Sequence, residues 1–164
     1  MSQSASQAAA FYLEVAEHRR VWTIRDSRGI PAPLGDQGLR VMPFWSSSDR
    51  AETVIGNVPA YSGFVPVELS WIEFRDRWLP GLARDELLVG VNWSGARATG
   101  YDVEPAVVRE AVEAAIARRE AKLKRGNDRS RGSLCDLREA ASEREHAAAR
   151  SKHGMNTPPC TRCE

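Results

Sequence analysis

Leu87-Leu88-Val89-Gly90-Val91, running into Asn92-Trp93-Ser94-Gly95, is the stretch on which the fold turns. Its first five residues form an unbroken apolar run of strand length, which marks the central strand of a sheet. Outward from it, Asn92 to Gly100 holds two glycines and reads as a turn with a short returning strand over Ala96 to Thr99. Pro105 then sits where a helix accepts a first-turn proline, and Val108, Ala111, Val112, Ala115 and Ile116 carry an apolar face toward Arg125. On the other side, Ser70-Trp71-Ile72-Glu73 is the clearest capping box of the chain. It opens a helix with Trp71, Phe74, Trp78 and Leu82 at helical spacing, and Pro80-Gly81 is expected to bend or break it. Phe64 to Leu69 alternates as a strand that Pro66 confines to an edge. Asp49 with Glu52 predicts a second capping box, for a helix ended by Gly56-Asn57 and Pro59.

Further upstream, Val21 to Ile24 and Leu39 to Phe44 read as an antiparallel pair, joined by an Asp26–Gly29 turn and an ordered loop over Pro31 to Gly38. A first helix, capped by Ser4 or Ser6, carries Ala8, Phe11, Tyr12, Val15 and His18 on one stripe. The element order has no regular βαβ repeat. The predicted class is α+β: a mixed, mostly antiparallel sheet with helices packed on one face.

The chain has 164 residues, 42% hydrophobic and 27% charged, and a net charge of +1. That average hides a split. Residues 1–116 hold 11 Lys/Arg against 15 Asp/Glu, and residues 117–164 hold 12 against 7. All five tryptophans, and every tyrosine and phenylalanine, lie before residue 102. Large aromatic side chains dominate core energetics, so the domain is assigned to residues 8–118. Residues 119–164 form a basic tail without aromatics, expected to be disordered or transiently helical over Glu139 to Arg150. No apolar run reaches the ~18 residues that a membrane span requires, and the N-terminal residues lack the pattern of a secretory signal. A soluble, cytoplasmic protein is expected.

Few residues point to chemistry. His18 alone precedes residue 117, at the end of the first helix, where a cation interacts favourably with the dipole. No nucleophile elbow, phosphate-binding glycine loop or dinucleotide fingerprint occurs, and no cofactor is expected. Most carboxylates read as turns, caps and solvated faces; Asp26, Asp49 and Glu68 adjoin aromatic segments. Cys135, His153, Cys160 and Cys163 could supply a zinc site, but the C-x-x-C pair lies at the extreme end without flanking turn glycines, and the residues read as unmodified tail side chains. The tail's charge is thin for nucleic-acid binding. Two segments combine aromatic bulk with fixed polar groups. Met42-Pro43-Phe44-Trp45-Ser46-Ser47-Ser48 precedes a helix, and Gly90-Val91-Asn92-Trp93-Ser94-Gly95 ends the central strand.

The same segments carry a family resemblance. Val21-Trp22-Thr23-Ile24-Arg25-Asp26, Met42-Pro43-Phe44-Trp45-Ser46-Ser47, Val58-Pro59-Ala60-Tyr61, Trp78-Leu79-Pro80-Gly81-Leu82, Gly90-Val91-Asn92-Trp93-Ser94-Gly95 and Gly100-Tyr101-Asp102-Val103-Glu104-Pro105 occur in this order. Together, over about residues 10–118, they resemble the bacterial domain-of-unknown-function family 2750, which brings no reaction or catalytic residue with it. A more distant similarity, to the N-terminal domain of the type III secretion enhancer SseB group, implies an α+β fold and, by analogy, a role in protein interaction.

These readings converge on a non-catalytic protein-interaction domain, an immunity protein being one version. Its candidate binding surface comprises Trp22, Asp26, Trp45, Ser46, Asn92, Trp93, Tyr101 and Asp102. The competing expectation is a small-ligand binder or enzyme with a pocket between Trp45, Asn92, Trp93 and a carboxylate such as Asp26 or Asp102. A third is a weak nucleic-acid binder acting through the tail.

Overall fold

A computed structural model describes residues 3–35 and 38–125. The expectations for the tail, including Cys135, His153, Cys160 and Cys163, lie outside the described residues. The chain divides after Glu120, and the architecture below is that of the unit ending there.

Helix α1 (Gln3–His18) leads into β1 (Arg20–Arg25), β2 (Val41–Phe44) and α2 (Ser48–Asn57). A 3₁₀ turn (Pro59–Tyr61) and β3 (Val65–Ser70) follow. Next comes α3 (Trp71–Glu73), which continues through a π-helical turn (Phe74–Trp78) into α4 (Leu79–Arg84). The hairpin strands β4 (Leu88–Ser94) and β5 (Thr99–Val103) complete the sheet elements, and α5 runs from residue 105 to the end of this unit. The class is α+β, as the element order predicts.

β4 is the central strand. It pairs in parallel with β2, Val41 opposite Leu88, and antiparallel with β5, Val89 opposite Val103. β1 pairs antiparallel with β3. The expected β1–β2 ladder is reduced to one bridge, with Trp22 and Trp45 exchanging two backbone hydrogen bonds of 2.7 Å. The reason is a missing donor. Antiparallel pairing centred on Trp22 and Trp45 puts its next hydrogen-bonded pair at Ile24 and Pro43, and proline has no N–H to give. The Pro43 carbonyl instead accepts from the buried Thr23 hydroxyl at 2.9 Å. The same alternation directs the backbone N–H and C=O groups of Val65, Val67 and Leu69 toward β1 and those of Pro66 and Glu68 outward. The outer edge of β3 therefore lacks an N–H at Pro66, which blunts edge-to-edge pairing, while the Glu68 carboxylate reaches Arg20 of β1 at 3.2 Å.

Helices cover both faces of the sheet, not one. α1, the α3–α4 segment and α5 bury Phe11, Val15, Trp71, Phe74, Leu82, Val108 and Val112 against Val21, Phe44, Val89 and Val91. On the opposite face α2 and the 3₁₀ turn bury Ala51, Val54, Val58 and Tyr61 against Ile24, Val41, Trp45, Leu88 and Trp93. A strand buried from Leu88 through Trp93 requires this two-sided cover.

Other boundaries move for local reasons. Ser47, not Asp49, caps α2, accepting from the Arg50 N–H at 3.4 Å. Ser70 caps α3 as the capping box predicts, with a 3.1 Å bond from the Glu73 N–H. α1 is already helical at Gln3, so neither Ser4 nor Ser6 caps it. Pro80 does not break the helix. The π-helical turn just before it carries the chain through, closing with the Leu79 N–H on the Phe74 carbonyl. The return strand starts at Thr99, because Gly95 to Ala98 form the turn, with Gly95 and Ala98 at positive φ.

Candidate functional site

The indole of Trp93 organises the β4–β5 hairpin. A register shift between Val91 and Ser94 makes a bulge, and Asn92 within it adopts φ 47°. The bulge folds Trp93 back across the backbone of Gly90 and onto that of Gly100 in β5. A Cβ at Gly90 would stand 2.4 Å from the ring, and one at Gly100 would stand 2.6 Å from it. Only glycine allows that approach. The ring is fixed at its edge, where Nε1–H donates to Asp102 Oδ1 at 2.9 Å. Its own backbone carbonyl accepts the Trp45 Nε1–H at 2.8 Å. Both buried indole donors are thus satisfied inside the fold.

Asn92 is the second organiser. It is 1% exposed, and its Oδ1 accepts the Ser46 N–H at 3.0 Å while its amide donates to the Gln7 carbonyl at 3.2 Å. Ser46 Oγ donates to Glu14 Oε2 at 2.5 Å. Arg50 closes on the same carboxylate, with Nη2 2.8 Å from Oε1. Burial alone would raise the Glu14 pKa; hydrogen bonds from Ser46 and Arg50, with the charges of Arg50 and His18, hold it below the usual range. The network ties α1, the end of β2, α2 and the β4 bulge together. A hydroxyl whose proton is given to an ion-paired carboxylate is poorly placed as a nucleophile, because its base is already stabilised in the charged form.

The eight candidates therefore separate. Trp45, Ser46 and Asn92 converge in the buried network. Trp22 is half-buried on β1, and together with Ser46 it borders a shallow groove beside His18 and Arg20. Asp26 is a turn residue: its Oδ1 accepts from the Arg28 and Gly29 N–H groups at 2.8 and 3.1 Å. Against the opposing effect of burial, the Arg28 side chain and these N–H groups hold its carboxyl low. It borders a separate groove with Pro31 and Phe64. Tyr101 is 47% exposed, and strand alternation places it on the opposite face of β5 from Asp102.

Trp93 and Asp102 do share a cleft, of about 300 Å³, between the loop over residues 33–35, the 3₁₀ turn and the hairpin tip. Of the residues expected around a pocket, Trp93 and Asp102 line this cleft, whereas Trp45 and Asn92 are buried in the core. The cleft's further walls were not singled out from sequence: Leu34, Tyr61 and Arg97. Tyr61 had a faint signal in Val58-Pro59-Ala60-Tyr61, where an aromatic follows a first-turn proline. Arg97 and Leu34 had none. Glu14 and Arg50 were missed as well, each looking like an ordinary charge on a helix surface. Among the described residues no three His, Cys, Asp or Glu side chains gather as a metal site, and no helix is long and apolar enough to cross a membrane.

Comparison with known proteins gives a family match. Residues 8–112 fit the family model described as "Protein of unknown function (DUF2750)". No curated protein and no solved structure matches the chain.

Proposed function

The chain belongs to the DUF2750 family, and within it we propose a non-catalytic protein-interaction domain whose recognition element is the cleft beside Trp93 and Asp102. The observation that carries this reading is the contrast between the two sites. The polar groups of Ser46, Asn92 and Glu14 are spent on one another and on the backbone. The cleft, by comparison, has an apolar rim open to solvent, with Leu34 69% exposed. Exposed apolar side chains around a concavity with a few polar groups are what a partner side chain docks against.

A photo-crosslinking amino acid placed at Leu34 in the full chain, expressed in its own cells, tests the proposal; Leu13, 60% exposed on α1, serves as the control position. A discrete protein adduct at position 34 that is lost in an Arg97→Glu background is expected. No adduct at 34, or the same adduct at 13, overturns it. The volume of the cleft also favours a second reading, a binder of small molecules, because 300 Å³ lies at the lower limit of ligand pockets. On that reading a small molecule competes with the adduct at 34.

A further inference from the structure

The cleft holds two polar groups that the fold leaves unused. Tyr61 is only 7% exposed and packs its ring edge-to-face on Phe64, with centroids 5.6 Å apart. Its hydroxyl makes no hydrogen bond to any described residue. No sealed side-chain polar atom among the described residues lacks a partner, so this hydroxyl reaches solvent, and the cleft is the concavity that Tyr61 lines. Burial pushes its pKa up, which keeps it protonated and able to donate. Arg97 projects from the Gly95–Ala98 turn and lines the same cleft. It makes neither an ion pair nor a hydrogen bond with any described residue. Around these two donors the walls are apolar, with Leu34, Val58 and Ala60.

We propose that the cleft binds a carboxylate carried on an apolar body, with the Arg97 guanidinium and the Tyr61 hydroxyl as its recognition pair. The proposal rests on reading the cleft as the recognition element. Two donors, one cationic, beside apolar walls match a carboxylate on a branched aliphatic or aromatic body, since charged hydrogen bonds fix the head and burial fixes the tail. Asp102 restricts the charge of that head. Its carboxylate, anchored by the Trp93 N–H, also lines the cleft. Its negative charge disfavours a doubly charged head, and phosphate also lacks the apolar body that the walls require. The volume admits one side-chain-sized body, so the carboxylate comes either from the C-terminal residue of a protein or from a free acid.

The experiment uses the full chain and four probes: N-acetyl-leucine, N-acetyl-leucinamide, 4-methylpentanoate and inorganic phosphate, followed by ¹H–¹⁵N NMR titration. Both acids are expected to shift the amides of Arg97 to Gly100 saturably, while the leucinamide and phosphate do not. N-acetyl-leucine binding more tightly than 4-methylpentanoate assigns the carboxylate to a chain terminus, and the reverse order assigns it to a free acid. Tyr61→Phe should weaken acid binding about ten-fold. Its melting temperature without probe should stay unchanged or rise, because the hydroxyl it removes has no internal partner. Arg97→Gln should weaken acid binding further. The amide binding as well as the acid, full affinity in Tyr61→Phe, or no saturable shift at these residues would each overturn the proposal. Saturable acid binding without any adduct at position 34 would defeat the protein-partner reading and leave the carboxylate site standing.

Discussion

Gly90→Ala tests the reading of the hairpin most directly. The added methyl would stand 2.4 Å from Trp93 Cε2, 2.5 Å from Nε1 and 2.6 Å from Cζ2, at least 0.8 Å inside ordinary contact distance. The indole cannot slide away. Gly100 backs it on β5, Asp102 holds its N–H, and the Trp93 carbonyl is held by Trp45. Either the strand pair opens or the ring leaves. A tryptophan buries roughly 150–250 Å², and at about 25 cal/mol per Å² its expulsion forfeits roughly 4–6 kcal/mol. Partial relaxation recovers some of this, so the expected loss is about 3–5 kcal/mol, a large fraction of the ~5–15 kcal/mol that holds a typical domain. Urea unfolding followed by far-UV circular dichroism measures it. Gly56→Ala is the control: it lies in α2 with nothing within 4 Å of the added methyl, and should stabilise by about 0.4–1 kcal/mol. In Gly90→Ala/Trp93→Ala the ring that clashes is gone, so the two costs should fall short of additivity by more than about 2 kcal/mol. A loss below about 1 kcal/mol for Gly90→Ala, or an additive double mutant, would refute the account of the indole as the wedge between β4 and β5.

Other perturbations follow from the buried network. Asn92→Ala strips the partner from the Ser46 N–H and puts alanine at positive φ, so about 2–4 kcal/mol should be lost in denaturant unfolding; Asn92→Gly should recover about 1 kcal/mol of that by relieving the backbone alone. The Glu14 pKa is lower folded than unfolded, so its contribution is fully present above the unfolded value of about 4.3 and disappears as pH falls through the folded one. Between pH 7 and 3, Glu14→Gln should therefore show a shallower acid loss of stability than the parent chain. With the side chain one-third exposed, the difference at neutral pH should be about 1 kcal/mol after screening. Ser70→Ala removes the cap of α3 and should lower stability by about 1 kcal/mol; no change would mean that packing of Trp71 and Phe74 alone sets the helix start.

What the sequence discloses divides along a physical line. The central run, the Ser70 cap, the edge character of β3 and the aromatic core depend on local pattern, and each is legible. Pairing is not. The loss of the β1–β2 ladder follows from one absent N–H at Pro43, and nothing in Leu39 to Phe44 states that the other edge of that strand takes β4 in parallel. The candidate site divides for a related reason. Trp45, Asn92 and Trp93 stand out because aromatic and amide side chains beside glycines suit recognition, yet the same pairing suits a bulge. Which use applies is decided by whether Gly90 and Gly100 face each other across the indole, a fact of register ten residues apart. Tight packing thus leaves a strong imprint on sequence, since only glycine fits beneath the ring and only asparagine both bridges Ser46 to Gln7 and tolerates φ 47°. A binding group has no such signature when it stands on a turn with room around it. Arg97 could be replaced without any strain in the fold, and this freedom makes it invisible to motif reading while leaving it available to a ligand.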